Sequence, residues 1–345
     1  MLMDSVKKYS CPNCNAKLEF NPLKQNWICQ YCSVEYNREQ VDAANKHEEE
    51  LDQEMPELDS YTCSACGAEL IADSTTSATF CLYCKNPTII KTRFSGKFKP
   101  KSVIPFRLTG DQAKELYKKW IKRRLFAPAI FKQKEEIDKV SGIYAPFWLF
   151  DCTADGTVMG EATRVKSWSD GKYRYTQTKY YNVTRKGKAR YNRVPVDASK
   201  KLDDKFMHMI EPFDYNDITD FSMKYMSGFL AEKYDVESSE AESIMKSRVE
   251  SYLEERLKGT VNGYSSFSIS NSQIFLSQIM QSYSMLPIYL LINKYKGKEH
   301  IFIVNGQTGK VVGNTPISHV KQILFGLATF IVALIIAVFG GALFV

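Results

Sequence analysis

Residues 11–32 read CPNCNAKLEFNPLKQNWICQYC, and residues 63–84 read CSACGAELIADSTTSATFCLYC. Both follow C-x2-C-x14-C-x2-C, and Cys63, Cys66, Cys81 and Cys84 each lie 52 positions after Cys11, Cys14, Cys29 and Cys32, so eight of the nine cysteines form one repeat. Two CxxC pairs at this separation predict a zinc ribbon, in which two knuckles each supply two thiolates to one tetrahedral ion. The short spacing lets both sulfurs of a pair face an ion about 2.3 Å away while backbone amides offset their charge. Gly67 after Cys66 suits the left-handed position that follows such a knuckle, and Asn15 after Cys14 is the next best tolerated residue there.

The four histidines, His47, His208, His300 and His319, lie outside both ribbons, so each predicted site is all-cysteine and closed, with no position left for water or substrate. That pattern belongs to structural zinc. Disulfides are disfavoured in a cytoplasmic domain, and a redox CxxC has no need of a second CxxC at fixed distance, twice over. A ribbon of about thirty residues buries too little surface to fold alone, so metal binding, with an apparent ~10–16 kcal/mol, is expected to fold each one. The ninth cysteine, Cys152, follows an aromatic run and reads as a buried core thiol.

Outward from the ribbons, charge is segregated along the 345 residues. Arg38 to Ser60 holds nine acidic and two basic residues, read as a solvated helix and loop between two semi-independent modules. Lys91 to Val140 has 15 basic and 5 acidic residues, and Arg164 to Lys205 has 13 and 4. The formal net charge of +7 falls to about +3 if each ribbon binds one zinc through four thiolates. Thr109 and Gln112 form a capping box ahead of a helix whose apolar positions are Ala113, Leu116, Tyr117, Trp120, Ile121 and Leu125, with lysines opposite.

Strands are expected from Ser141 to Asp151 and, as a meander turning at Asp170-Gly171 and Lys186-Gly187, across 172–184 and 188–196. Two helices follow, one around 217–234 and one capped by Ser239 with Ile244, Met245, Val249, Tyr252, Leu253 and Leu257 on one face and Gly259 closing it. The run YSMLPIYLLIN at 283–293 echoes YAPFWLFD at 144–151 around a shared proline, a pattern that a duplicated half-domain would leave but that rests on a single aligned residue.

Ile323 to Val345 carries no charge over 23 residues, enough for a helix to cover the ~30 Å hydrocarbon core. The N-terminus has no apolar h-region, so no signal peptide is predicted. With Lys310, His319 and Lys321 ahead of the span, the positive-inside rule places the N-terminal bulk in the cytoplasm and the C-terminus at the outer face of the cell membrane. Ala333, Ala337 and Gly341 share one helix face, where a partner transmembrane helix could approach. The fold expected is α+β and multidomain: zinc ribbon 1 over 1–37, an acidic spacer over 38–60, zinc ribbon 2 over 61–92, a cytoplasmic α+β domain over 93–318 and a transmembrane helix over 322–345.

No catalytic motif emerges. GQTGK at 306–310 lacks the four-residue spacer and following Ser/Thr of a phosphate loop and reads as a hairpin turn, and GxSxG, HExxH and paired-carboxylate patterns are absent. The ribbons, the block VIPFRLTGDQAKELYKKWIKRRLFAP with YAPFWLFD, and the block LPIYLLINKYKGKEHIFIVNGQTGKVVGNTP before the apolar end together resemble the membrane-anchored double zinc-ribbon proteins of Bacillus-like bacteria, the YdjG-like family. Such proteins often carry TFIIB-type zinc-ribbon or primosomal-helicase labels, the latter without support here because there is no phosphate loop. The resemblance implies association with a phage-shock-protein-A homologue and an SPFH-type protein in an envelope-stress assembly. The function expected is therefore a non-enzymatic membrane-anchored scaffold or adaptor. The alternative is a membrane-tethered nucleic-acid-binding protein, since basic stretches and zinc ribbons both occur in that class.

Overall fold

The computed structural model describes residues 11–44 (except 15 and 17), 59–64, 67–72, 81, 83, 89–93 and 100–341 (except 227). Cys66, Cys84, Asn15 and most of the acidic spacer lie outside the described residues. The first ribbon is a three-stranded antiparallel sheet of β1 (Leu18–Asn21), β2 (Asn26–Cys29) and β3 (Glu35–Tyr36). It is followed by α1 (Arg38–Ala44), where the sequence reading had a solvated helix. Val41 of α1 is fully buried with Leu18, Phe20 and Trp27 in a core that continues into Tyr225 and Met226.

The segment expected to form the second ribbon supplies β4 (Asp59–Cys63), β5 (Glu69–Ala72) and β6 (Ile89–Arg93). These strands belong to the same sheet as the body of the protein, so this ribbon is not a semi-independent module. The body begins with β7 (Ser102–Val103) and α2 (Gly110–Lys122), whose Thr109–Gln112 capping box forms as the sequence dictates. Ala113, Tyr117 and Ile121 of α2 are buried, whereas Leu125 lies beyond the helix and is exposed. The short helix α3 (Lys134–Ile137) leads into two very long strands, β8 (Ser141–Ser169) and β9 (Arg174–Asp197).

Gly171 takes a positive φ at the tip of this hairpin, as the turn signal predicts. The meander stops there, because Lys186-Gly187 is not a turn: β9 runs straight through it, with Gly187 opposite Gly156 of β8. A Cβ on Gly187 would come within 2.7 Å of Leu257, so this glycine serves close approach of a helix rather than a change of direction.

After α4 (Asp204–Met209), the helix expected around 217–234 is also absent. Short 3-10 turns and the small strands β10 (Thr219–Asp220) and β11 (Leu230–Glu232) stand in its place. Its apolar residues are drawn apart by separate partners: Tyr225 packs on Phe20 and Trp27, and Phe229 stacks on Phe106 at 4.0 Å. Helix α5 (Ser238–Lys258) forms as expected and ends at Gly259, but Glu237 is its N-cap, and Ile244 and Tyr252 fall outside the buried stripe of Ala241, Met245, Val249, Leu253 and Leu257. The chain then makes β12 (Ser266–Tyr295), β13 (Lys298–Asn305), β14 (Val311–Gly313) and the apolar helix α6 (His319–Gly341). Asn305 to Lys310 is a hairpin turn with Gly309 at positive φ, as the sequence predicts.

The echoed prolines identify the organising symmetry. Ala145 pairs with Leu286, and about that point β8 and β12 run antiparallel, with Pro146 opposite Met285 and Pro287 opposite Tyr144. The carbonyl of Pro146 accepts from Ala198 N and that of Pro287 from Gly306 N, so β9 and β13 occupy equivalent places. The short parallel strands are equivalent too: β7 pairs with β12 through Met285–Val103, and β11 with β8 through Tyr144–Ala231. Trp148 donates to Val236 O at 2.9 Å, and its counterpart Tyr289 donates to Leu108 O at 2.7 Å. The buried residues of α2, at 113, 117 and 121, match 241, 245 and 249 of α5. Each half is thus strand, helix, long strand, strand, and each half's first strand is hydrogen-bonded to the other half's long strand.

The halves differ in one respect. The hairpin of β8 and β9, joined by the first half of β12, runs on past the core as a blade. Irregular register at Phe150/Cys152 and Ser277/Met280, with Arg193 and Gln278 at positive φ, marks where it leaves the body. From Cys152 to Ser169 it extends roughly 55 Å at about 3.3 Å per residue. Helix α5 covers the base of one face, with Cys152 buried against Met245, a setting whose desolvation pushes its thiol up. This is the inert core thiol the sequence implies.

Two carboxylates sit inside the core where β11 meets the second ribbon. Glu232 accepts from Ser199 Oγ at 2.8 Å, and Asp197 is buried nearby. Burial pushes Glu232 up to about 7, and burial together with the neighbouring Glu232 drives Asp197 well above the usual carboxylate range. A raised folded-state pKa contributes stability that is complete below the unfolded value near 4.5 and is lost as pH rises through about 7. Glu232→Gln keeps the Ser199 hydrogen bond without the buried charge. It is expected to exceed the parent chain by roughly 2–3 kcal/mol at pH 8 and to match it near pH 4.5 in urea titrations. An equal shift at both pH values would show that ionisation is not its origin.

Candidate metal centre

The hairpins of the first ribbon place four sulfurs at one point. Cys11 and Cys14 come from the loop before β1, Cys29 ends β2, and Cys32 lies in the turn before β3. Their Sγ atoms all lie within 4.8 Å of one another, Cys11 to Cys32 at 3.5 Å and Cys14 to Cys29 at 3.4 Å. These separations exceed the ~2.05 Å of a disulfide. They approach the ~3.8 Å edge of a tetrahedron with metal–sulfur bonds of about 2.3 Å. The donor set fits a soft or borderline divalent ion, and with four thiolates the coordination is complete.

The knuckles are built by backbone hydrogen bonds. Cys11 N donates to Ala16 O at 2.7 Å, and Cys29 N to Val34 O at 3.0 Å. Ser33 N donates to Cys29 O at 2.8 Å, which places Ser33 in the left-handed region at φ 57°. Sequence reasoning assigned such a position only after the first knuckle of a ribbon. Cys32 N points at Cys29 Sγ at 3.5 Å, one of the amides that favour thiolate there. Burial opposes ionisation of Cys11, but the Tyr36 hydroxyl at 3.2 Å and the amides of Cys14 and Asn13 outweigh it and bring the thiol down to about 6. The same contact pushes Tyr36 up to about 12. Tyr36 is thus an outer-sphere donor to the sulfur cluster, in the register position that β3 sets, and nothing in the cysteine spacing announces it.

In the second ribbon, Cys63 and Cys81 are buried. Cys63 N donates to Ala68 O at 2.9 Å and Gly67 N to Cys63 O at 2.9 Å, the bonds seen at Cys11 and Cys29. Gly67 takes φ 68°, as its place after the CxxC predicts. Cys66 and Cys84, the other two expected ligands, lie outside the described residues.

The first centre is locked to the body of the protein. Trp27 Nε1 donates to Lys224 O at 3.1 Å, and Gln25 Nε2 donates to Phe106 O at 2.8 Å. Lys224, only 2% exposed, puts its ammonium over the Trp27 ring at 5.4 Å and ion-pairs with Asp42 of α1.

At the other end of the chain, α6 has the length and composition to cross a membrane from His319 to Ala337, and none of that stretch is buried within the protein. No protein-family model matches the chain, and no solved structure does. A curated protein of Bacillus subtilis (strain 168), the uncharacterized protein YdjG, is 34% identical over 316 residues, which cover 92% of each chain. With that identity over nearly its full length, the chain belongs to the YdjG family.

Proposed function

We propose that this protein is a non-enzymatic scaffold held at the cytoplasmic face of the cell membrane by α6, with two structural zinc ribbons and a blade that binds protein partners. The matching knuckle bonds at Cys63 and Cys29 support a second zinc held by Cys63, Cys66, Cys81 and Cys84. Lys310, His319 and Lys321 ahead of the apolar run support a cytoplasmic body with the C-terminus at the outer face. The partners proposed are a phage-shock-protein-A homologue and an SPFH-type protein, with a further transmembrane helix against Ala333 and Ala337.

The observation that carries the scaffold reading is the free end of the blade. Beyond residue 163 it is a two-stranded arm exposed on both faces, and it ends in Trp168 stacked on Tyr175 at 5.7 Å, with Trp168 52% exposed. Tyr173 and Tyr180 are exposed beside them. The stacked pair and the Tyr175–Asp170 hydrogen bond steady the hairpin tip but bury little of the rings, and rigid exposed aromatic residues are the usual anchors of protein interfaces. Affinity purification of the full chain from mild detergent tests this. Either proposed partner should co-purify, and Trp168→Ala with Tyr175→Ala should weaken its capture by about thirtyfold or more, the scale of losing one strong anchor. Recovery of the chain with neither partner would refute the scaffold.

A second reading has its own observation. Residues 164–193 carry ten basic residues and one acidic residue, and Arg164 lies over Tyr181 and Tyr264, each at 5.5 Å. A nucleic-acid backbone would meet charge and stacking surfaces there. A steeply salt-dependent shift of an RNA or DNA probe, abolished by neutralising those basic residues, would favour that reading over the scaffold.

A further inference from the structure

Where α6 leaves the body, it is fastened to the loop that ends α2. Ser318 N donates to Phe126 O at 2.8 Å, Lys321 Nζ donates to Ala127 O at 2.5 Å, and Phe126 meets Phe325 edge to face at 5.5 Å. The uncharged run starts at Ile323. If α6 is in a bilayer, residues 318–322 lie at headgroup depth, and these bonds put 123–127 at the same depth. The chemistry of that loop is unusual for a surface facing only water. Lys122, Arg123 and Arg124 are consecutive and exposed, and none has a carboxylate partner among the described residues. Arg124 places its guanidinium over the Trp120 ring at 4.7 Å. Leu125 follows at 65% exposure, with Ile317 also exposed next to the start of α6.

Three nearby carboxylates are occupied elsewhere, Glu115 with Lys118, Glu136 with Lys139 and Asp138 with Lys114, and Asp111 lies at the opposite end of α2. Cations without carboxylate partners among the described residues, beside a projecting leucine at the root of an apolar helix, match an anionic lipid surface. Phosphates meet the guanidinium and ammonium groups while the leucine enters the acyl boundary.

We propose that Lys122, Arg123, Arg124 and Leu125, with Lys321, form a collar that binds anionic lipid headgroups and fixes the body against the membrane. The proposal rests on the bilayer reading of α6. It also extends that reading, since a single span does not by itself set the tilt of the body against the headgroups.

The test uses the full chain in lipid nanodiscs of phosphatidylcholine, with or without phosphatidylglycerol, prepared with brominated acyl chains. Tryptophan is introduced singly as Leu125→Trp or Val332→Trp, and quenching is measured as the difference from the parent chain. Val332→Trp is expected to be quenched in both lipids, and Leu125→Trp at least about twofold more with phosphatidylglycerol than without. Arg123→Gln with Arg124→Gln should abolish that difference while leaving Val332→Trp unchanged. In the unsubstituted chain, amide exchange at 122–126 should slow with phosphatidylglycerol. Failure of Val332→Trp to quench would overturn the bilayer reading and the collar with it. Quenching at Val332→Trp with no lipid dependence at Leu125→Trp, or no effect of the arginine substitutions, would overturn the collar alone.

Discussion

Replacing Cys29 with serine is expected to lower bound zinc by one ion per chain and to unfold the first ribbon. Zinc in a four-thiolate site contributes an apparent ~10–16 kcal/mol, and a serine hydroxyl neither ionises at neutral pH nor matches the softness of a thiolate. The ribbon's own ladder contributes little beside the metal, since its strands are two to four residues long. The loss should also be felt outside the ribbon, because Phe20 and Trp27 close the core around Tyr225 and the Trp27 indole bonds to Lys224 O. Metal analysis should therefore be paired with tryptophan fluorescence: a red shift on substitution or on chelation reports exposure of Trp27. An unchanged zinc content in Cys29→Ser would contradict the centre, and a changed zinc content without a spectral shift would contradict its coupling to the body.

The second large effect is expected from Asp42→Ala, a loss of about 3–5 kcal/mol. Lys224 is almost wholly enclosed, and its ammonium pairs with Asp42 beside the faces of Trp27 and Tyr225. Removing the carboxylate leaves a buried charge with only the two rings for compensation among the described residues, at a fraction of the Coulombic gain it loses. The reverse change behaves differently. Lys224→Met removes the buried charge and leaves Asp42, whose side chain is 30% exposed, to water and to Arg38 at 3.8 Å. Its cost should stay near about 1 kcal/mol. Urea denaturation of both variants reads the asymmetry directly, and equal costs would mean that the pair contributes through packed volume and not through charge.

What could be read from the sequence was what local chemistry fixes. The Cys11–Cys32 spacing is legible because a knuckle is made by bonds within six residues, and the Thr109–Gln112 box because both its bonds lie within one turn. The illegible parts were decided by residues far away in the chain. Lys224 and Asp42 are 182 positions apart, so neither marks the other. Gly187 resembles a turn residue until Leu257 is brought over it. The segment 217–234 has apolar residues at helical intervals, yet Gly228 at φ 87° breaks the continuity and the ribbon core and Phe106 claim different side chains. The echo around Pro146 and Pro287 carried more than its one aligned residue suggested, because the repeat is kept in burial and hydrogen bonding rather than in residue identity.

The exchange of first strands between the two halves has a kinetic consequence. Apart from the two-residue β10, β7 has only β12 to pair with among the described strands, so it joins the main sheet only when Ser284 and Met285 exist, and the edge of β8 beyond Ala145 is closed by β12 as well. The N-terminal half of the body therefore has no self-contained state to rest in as the chain emerges. Its contacts span more than a hundred residues, a topology in which loop closure slows the search and unpaired edges stay open to other chains. The first ribbon, whose knuckles are closed by local bonds, can order early, while the sheet between it and α6 must wait for its last long strand. Folding of the body thus coincides with delivery of the apolar helix that follows it.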